Sequence, residues 1–292
     1  MFRGSMTALV TPFNKDGSLD TDSYIKFINW QIINGTEGII PCGTTGEVPT
    51  LSDDEQEQVI AIAVAQAKGK VSVIAGTGTN STARTIKSTQ KAKKLGADAA
   101  LIVTPYYNKP TQEGLYQHYK AIHDAVDLPI IIYNNPARCV VDMSVDTMAR
   151  LAELKNIVGV KDASGDITRP LKTKMKIKKT FNQLSGEDAL VVPFLAQGGA
   201  GCISVTANIA PKLCADLHKA WRAGNYEKVA ALNAQLMPLH DAMFCETNPG
   251  PVKYAAELLG LCSALTRPPL WTISDASKEI VKTALKNTGL IA

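Results

Sequence analysis

A (β/α)8 barrel, the TIM-barrel architecture, with a C-terminal three-helix appendage is the fold that this 292-residue chain predicts. Three observations carry it. Eight strand-like runs recur along the chain, and each is followed by a helix-like segment. The runs are apolar without polar alternation, as strands buried on both faces of a parallel sheet are. The alternation then stops, and the remainder of the chain carries helical patterns only.

The strand-like runs fall at 6–13, 38–42, 71–75, 99–104, 129–133, 157–161, 181–185 and 201–205. The helix-like segment 20–34 spaces Tyr24, Phe27, Ile28 and Ile32 near the helical period. The next opens with Ser52-Asp-Asp-Glu55, a capping box in which serine and glutamate each satisfy a backbone N–H of the first turn. Segment 81–95 ends at Gly96, as helices that close in the left-handed region do. Segments 112–126, 144–154, 167–177, 189–196 and 211–223 complete the alternation. A doubly wound sheet is the rival, but no G-x-G-x-x-G follows the first strand, and Val73-Ile-Ala-Gly-Thr-Gly78 lacks the third glycine. Helical patterns at 225–243, 251–259 and 275–287 form the appendage, so the expected division is a barrel domain over 1–224 and a helical domain over 225–292.

Composition narrows the function classes. Hydrophobic residues make up 45% of the chain, enough for a large core. No run of about 18 uncharged apolar residues occurs, so no membrane span is expected. The opening Met-Phe-Arg-Gly-Ser-Met lacks the pattern of a signal peptide, and a cytoplasmic location is expected. The six cysteines are scattered without a C-x-x-C pair, which predicts buried thiols and neither disulfides nor a metal site. The net charge of +4 is mild, and the cluster Lys172-Thr-Lys-Met-Lys-Ile-Lys-Lys179 reads as a solvated helix face and not as a nucleic-acid surface.

In a barrel the active site lies at the carboxyl ends of the strands, and the unusual polar clusters fall there. Gly43-Thr-Thr-Gly-Glu47 follows the second run, Thr104-Pro-Tyr-Tyr107 the fourth and Tyr133-Asn-Asn-Pro-Ala-Arg138 the fifth. The sixth ends at Lys161, Gly186-Glu-Asp follows the seventh, and Thr206-Ala-Asn the eighth. Burial disfavours the charged form of an amine, and a neutral amine is the nucleophile of Schiff-base chemistry. A strand-end lysine equally reaches water along its stem or pairs with a neighbour such as Asp162. Gly43–Gly46 reads either as a tight turn or as a nest for a carboxylate, and Tyr133 either as a core residue or as a proton carrier. Arg138 is either solvated or a bidentate carboxylate holder. The histidines 118, 123, 218 and 240 fall on helical segments, which leaves acid–base work to hydroxyl groups.

Taken together, Gly-Thr-Thr-Gly-Glu, Tyr-x-x-Pro, Gly-x-Lys and the Gly-x-Ile-Ser-Val-x-Ala-Asn of 201–208 resemble the pyruvate-dependent class I aldolase superfamily and, within it, the dihydrodipicolinate synthase family. The likeness runs through Val103-Thr-Pro-Tyr-Tyr-Asn108 and Glu113-Gly-Leu-Tyr-Gln-His118 over the whole length. It implies that Lys161 forms a Schiff base with pyruvate, that Thr44 and Thr45 bind its carboxylate and join a proton relay, and that Tyr133 leads that relay. The second substrate would be L-aspartate 4-semialdehyde, its carboxylate held by Arg138. Gly186 and Ile203 would line the pyruvate pocket, and Tyr107 would reach in from the neighbouring subunit of a tight dimer, two of which make a homotetramer. No cofactor and no metal is implied.

The chain departs from the family pattern after Tyr133, where Asn-Asn-Pro-Ala-Arg-Cys-Val stands in place of the commoner Val-Pro-Ser/Gly-Arg-Thr-Gly sequence. Cys139-Val140 for Thr-Gly bears on placement of the second substrate. Sister sialic-acid lyases share the barrel, lysine and tyrosine but lack an arginine matching Arg138; a barrel that binds keto acids without turnover is the non-enzymatic alternative. Lysine-inhibited members use residues matching positions 48, 49, 53, 56, 80, 84 and 106. Here Asp53 and Gln56 replace histidines and Arg84 replaces a glutamate, so weak or absent inhibition by lysine is expected.

Overall fold

The computed structural model describes residues 2–292, and among them eight strands close into a parallel barrel in chain order. The strands are β1 (Gly4–Ala8), β2 (Gly38–Ile40), β3 (Ser72–Gly76), β4 (Ala99–Val103), β5 (Ile130–Asn134), β6 (Ile157–Asp162), β7 (Asn182–Ser185) and β8 (Gly201–Ser204). Each run lies close to its expected place, with one clear difference. The first strand ends at Ala8 and not at 13, because Pro12 has no N–H for a ladder and Phe13 turns into an antiparallel bridge with Leu19.

The chain resolves into two compact units, Val73–Ile203 and the pair Gly4–Ser72 with Ser204–Ala292. In the first unit, helices Thr82–Leu95, Gln112–Ala125, Val145–Ala152, Arg169–Lys176 and Val191–Ala196 follow the strands. Their starts are set by side chains: Ser81, Thr111 and Ser144 each accept a first-turn backbone N–H. Gly96 closes its helix at φ 95°, a conformation that a Cβ disfavours. Helix Arg169–Lys176 starts two residues later than expected, because Asp166 accepts from both the N–H and the hydroxyl of Thr168 and holds that stretch in a turn. Its lysines 172, 174 and 176 are exposed, as the alternating pattern predicts. Buried Ile102, Leu115, Tyr119, Ile130, Ile132, Met148 and Val160 belong to one continuous apolar cluster, which fixes β4, β5 and β6 against their helices.

In the second unit, helix Thr21–Ile33 is capped by Asp20, and helix Asp53–Ala67 carries the expected capping box of Ser52 and Glu55. Helix Pro211–Arg222 precedes the three appended helices, Tyr226–Ala242, Gly250–Leu258 and Asp275–Asn287. Among the described residues no helix is long and apolar enough to cross a membrane.

Candidate active site

The ladder between β5 and β6 pairs Tyr133 with Lys161, and side chains paired in a parallel ladder share a face. Both are buried, at 8% and 6% exposure, and the lysine Nζ stands 4.3 Å from the centre of the tyrosine ring. Asp162, the alternative partner for Lys161, is held by Arg169 Nε at 2.9 Å and by the N–H and hydroxyl of Ser164. Lys161 neither snorkels nor pairs with its neighbour; it is held over an aromatic ring at a strand end. Beside it Gly186 leaves room that no other residue would. A Cβ there would lie 2.7 Å from Ala163 Cβ and 3.2 Å from Lys161 Cε.

The hydroxyl of Tyr133 accepts a 2.9 Å hydrogen bond from Asn135 Nδ2. Asn135 also caps the short helix Pro136–Cys139, its Oδ1 accepting from the Arg138 N–H at 3.2 Å. That helix carries Arg138, exposed on its last turn, and Glu187 lies in the field of Arg138 and Lys161 together. Burial pushes the Glu187 carboxyl above its ordinary range, while Lys161 and Arg138 pull it back and Asp188 adds to the rise. Cys139 is a buried thiol that burial also pushes up. Ile203 is wholly buried in β8. Tyr107 stands apart, 90% exposed and in the left-handed region at φ 71°.

The threonine loop belongs to the second unit. Gly43–Glu47 is a tight turn, with Gly46 and Glu47 N–H donating to the carbonyls of Gly43 and Thr44, and Thr11 Oγ1 donating to the Gly46 carbonyl at 2.7 Å. Thr45 is buried and its hydroxyl accepts from Asn248 Nδ2 at 3.0 Å; Thr44 is half-buried. Glu47 adopts φ 55°, an unfavourable conformation for a glutamate, and its side chain is fully buried. Lys253, also fully buried, donates to it at 2.6 Å, and the Arg267 N–H donates to its other oxygen at 2.9 Å. Burial lowers the Lys253 ammonium below its ordinary value and Glu47 pushes it back up. Phe13 lies under both cations, at 4.2 Å from Lys253 Nζ and 4.3 Å from the Arg267 guanidinium. Arg267 itself spans Gly17 O, Thr50 O and both carboxylate oxygens of Glu55, which holds Glu55 down to about 2. Of the two readings, the tight turn is what the structure has, locked from below by a buried ion pair, with Thr45 buried and Thr44 half-buried.

The structure therefore brings together Lys161, Tyr133 and Gly186, with Arg138 nearby. It puts Thr44 and Thr45 on a braced loop and leaves Tyr107 in the open. Histidines 118 and 240 bond threonine hydroxyls from buried positions, and burial takes His118 down to about 4. Among the described residues no group of three or more His, Cys, Asp or Glu could hold a metal. A cavity of about 670 Å³ in the second unit, bordered by Tyr254, Arg267, Trp271 and Lys278, contains none of these site residues. In the sequence Glu47 and Asn135 stand out only as members of their polar clusters, with no role of their own, and Lys253 and Asn248 are not singled out for the site. Asparagine before proline is a capping signal that points to Asn135, whereas nothing local announces that Asn248 meets Thr45 from 203 positions away.

The model of the dihydrodipicolinate synthetase family matches residues 1–288. A 4-hydroxy-tetrahydrodipicolinate synthase from Rhodospirillum centenum is 60% identical over 291 residues, with all of both chains covered. The chloride-inhibited dihydrodipicolinate synthase of Acinetobacter baumannii, solved with pyruvate, is 47% identical and covers both chains fully with a TM-score of 0.97. The enzyme of Cyanidioschyzon merolae, solved with lysine bound, is 37% identical with a TM-score of 0.96 and 99% coverage of each chain. A strand-end lysine over a tyrosine, a Gly-Thr-Thr-Gly-Glu turn and likeness over the full length lead to one conclusion: the chain belongs to the dihydrodipicolinate synthetase family.

Proposed function

We propose that the protein condenses pyruvate with L-aspartate 4-semialdehyde to give 4-hydroxy-tetrahydrodipicolinate, the branch-point step of diaminopimelate and lysine biosynthesis. The observation that carries this is the pairing of Lys161 with Tyr133 at the ends of β6 and β5, Nζ 4.3 Å from the ring centre, beside the space left by Gly186. Lys161 attacks the ketone carbon of pyruvate, while Thr44 and Thr45 donate to its carboxylate. Tyr133 gives its proton to the carbinolamine hydroxyl, which leaves as water as the C=N bond forms. The tyrosine oxygen then takes a proton from the methyl carbon, and the resulting enamine adds to the aldehyde carbon of the second substrate. The aldehyde oxygen takes up a proton and becomes the 4-hydroxyl. The substrate's own amine then adds to the imine carbon, closing the ring and expelling Lys161 as the free amine.

Arg138 holds the semialdehyde's carboxylate from the exposed last turn of its helix. Gly186 and Ile203 shape the pyruvate pocket. Tyr107 completes the relay from a neighbouring subunit, within a homotetramer built as two tight dimers. Its 90% exposure and left-handed backbone suit a side chain that another copy covers. The working location is the cytoplasm.

The test is borohydride reduction in the presence of pyruvate, followed by a peptide map. A single adduct on Lys161, absent from Lys161→Ala, is expected. Reduction that leaves Lys161 unmodified would overturn the mechanism.

A further inference from the structure

The hydrogen bond between Asn135 and Tyr133 has a fixed direction. Asn135 is 7% exposed, so its amide has protein partners and little water. On one side stands the backbone N–H of Arg138, shared at 3.2 Å each between the Asn135 main-chain carbonyl and its side chain; an N–H only donates, so the side-chain atom facing it is Oδ1. The amide nitrogen then necessarily faces Tyr133, at 2.9 Å from the hydroxyl oxygen. An amide nitrogen only donates, so the tyrosine oxygen accepts there and its own hydrogen has to point elsewhere. Rotating the amide would set two donors against each other at Arg138 and is excluded by the same chemistry.

Covalent order adds to this. Asn135 lies two residues after Tyr133, at the point where β5 ends and helix Pro136–Cys139 begins. Proline at the first helical position has no N–H to compete for the cap, and it restricts the backbone of the residue before it. The cap therefore locks the amide and the amide locks the hydroxyl.

We infer that Asn135 is a positioning residue for the reaction, one that directs the proton of Tyr133 away from the helix cap and toward the carbon chain bound on Lys161. This rests on the reading that Tyr133 carries the proton. In the step proposed above, the tyrosine hydrogen goes to the carbinolamine oxygen, which departs as water. The tyrosine oxygen next accepts a proton from the methyl carbon, and the Asn135 N–H donates to that oxygen throughout. Proton flow is thus confined to the side that faces the substrate.

Two variants separate positioning from capping, because serine and aspartate both remain good caps. Asn135→Ser is too short to reach the hydroxyl, and Asn135→Asp offers the tyrosine an acceptor in place of a donor. The readouts need pyruvate alone: the extent of the borohydride-trapped adduct on Lys161, and the rate at which methyl protons exchange with solvent deuterium, followed by NMR. We expect both variants to melt as the wild type does and to reach the same adduct at the same pyruvate concentration. Exchange should slow about tenfold in Asn135→Ser and more in Asn135→Asp, less than the roughly 10²–10⁴-fold of losing the acid–base group itself, because Tyr133 remains. Wild-type exchange in the variants that fold, with Tyr133→Phe inactive, overturns the role of Asn135 alone. Wild-type exchange in Tyr133→Phe removes the tyrosine from the relay, and the inference falls with it. A loss of adduct in parallel with exchange assigns Asn135 to binding and also overturns the proposal.

Discussion

The buried ammonium of Lys253 donates both to Glu47 and to the Leu265 carbonyl, and its removal has a cost that can be worked out. Lys253→Met keeps an unbranched stem of similar length over Phe13 and deletes the ammonium that stands 2.6 Å from Glu47. The glutamate remains, fully buried, with the Arg267 N–H as a donor at 2.9 Å. Stranding one charge of a buried pair costs about 3–5 kcal/mol. At about 2 cal/mol/K of unfolding entropy per residue, a chain of this length loses roughly 5–8 °C in melting midpoint. Adding Glu47→Gln removes the stranded charge and keeps an acceptor for Arg267, so the double variant should recover most of the loss. Calorimetry of the four proteins at one concentration gives the cycle, and titration of the borohydride adduct tests whether pyruvate binding depends on the braced turn, as proposed. The single variant should need more pyruvate than the double. A wild-type midpoint for Lys253→Met, or a double variant no better than the single, would refute the claim that an ion pair locks this turn.

Gly186→Ala puts a Cβ 2.7 Å from Ala163 Cβ and 3.2 Å from Lys161 Cε; overpacking of about 1–3 kcal/mol corresponds to roughly 5- to 150-fold weaker adduct formation, and unchanged trapping would separate Gly186 from the pocket. Arg138→Ala should raise the KM for the semialdehyde far more than that for pyruvate, and equal increases would mean that Arg138 only shapes the site. Arg267 depresses Glu55 from an ordinary 4.5 to about 2, so the pair stabilises fully above the ordinary value and its contribution is lost as pH falls through that window. Glu55→Gln should therefore cost about 1–2 kcal/mol at pH 7 and almost nothing near pH 2, as thermal melts would read; a constant difference would contradict the assignment. Arg84, exposed on the first turn of helix Thr82–Leu95, puts a cation where the resemblance leads one to expect the glutamate of lysine-sensitive members. Added lysine should leave the rate nearly unchanged at millimolar concentration, whereas cooperative inhibition below about 1 mM, a binding free energy near −4 kcal/mol, would show a rebuilt site.

Strand positions were legible where burial on both faces leaves an apolar run, although segment 189–196 is as apolar and helical and β7 reads Asn-Gln-Leu-Ser. The runs at 99–104 and 157–161 are wholly apolar until their last residue, and they are β4 and β6. Caps were legible for the same local reason: Ser52, Glu55 and Gly96 act on backbone groups a few residues away. The short helix Pro136–Cys139 was not legible, since four residues show no period and only its asparagine cap and proline mark it. The two supports of the threonine loop were further out of reach. Lys253 in its helical segment reads as an ordinary surface lysine, and only folding reveals that Glu47, 206 positions earlier, is its counterion.

The pairing at the centre of the site depends on a feature that residue counting cannot supply. Ile130 pairs with Ile157, and an even count from there would set Lys161 opposite Asn134, with Tyr133 on the other face. The register instead steps between Ile130 and Ile131, so that Ile131 meets Gly159 and Tyr133 meets Lys161. Val158 is the extra residue of a β-bulge in β6. Its carbonyl accepts from Asn182 Nδ2 at 2.9 Å, which ties the irregular strand to β7. Gly159 is what allows the approach: a Cβ there would lie 2.4 Å from the Asn182 carbonyl oxygen. The glycine of the Gly-x-Lys motif therefore has a structural cause as definite as the lysine's chemical one. Without a side chain at 159 the bulge fits against β7, and because the bulge is there the lysine stands on the same face as the tyrosine.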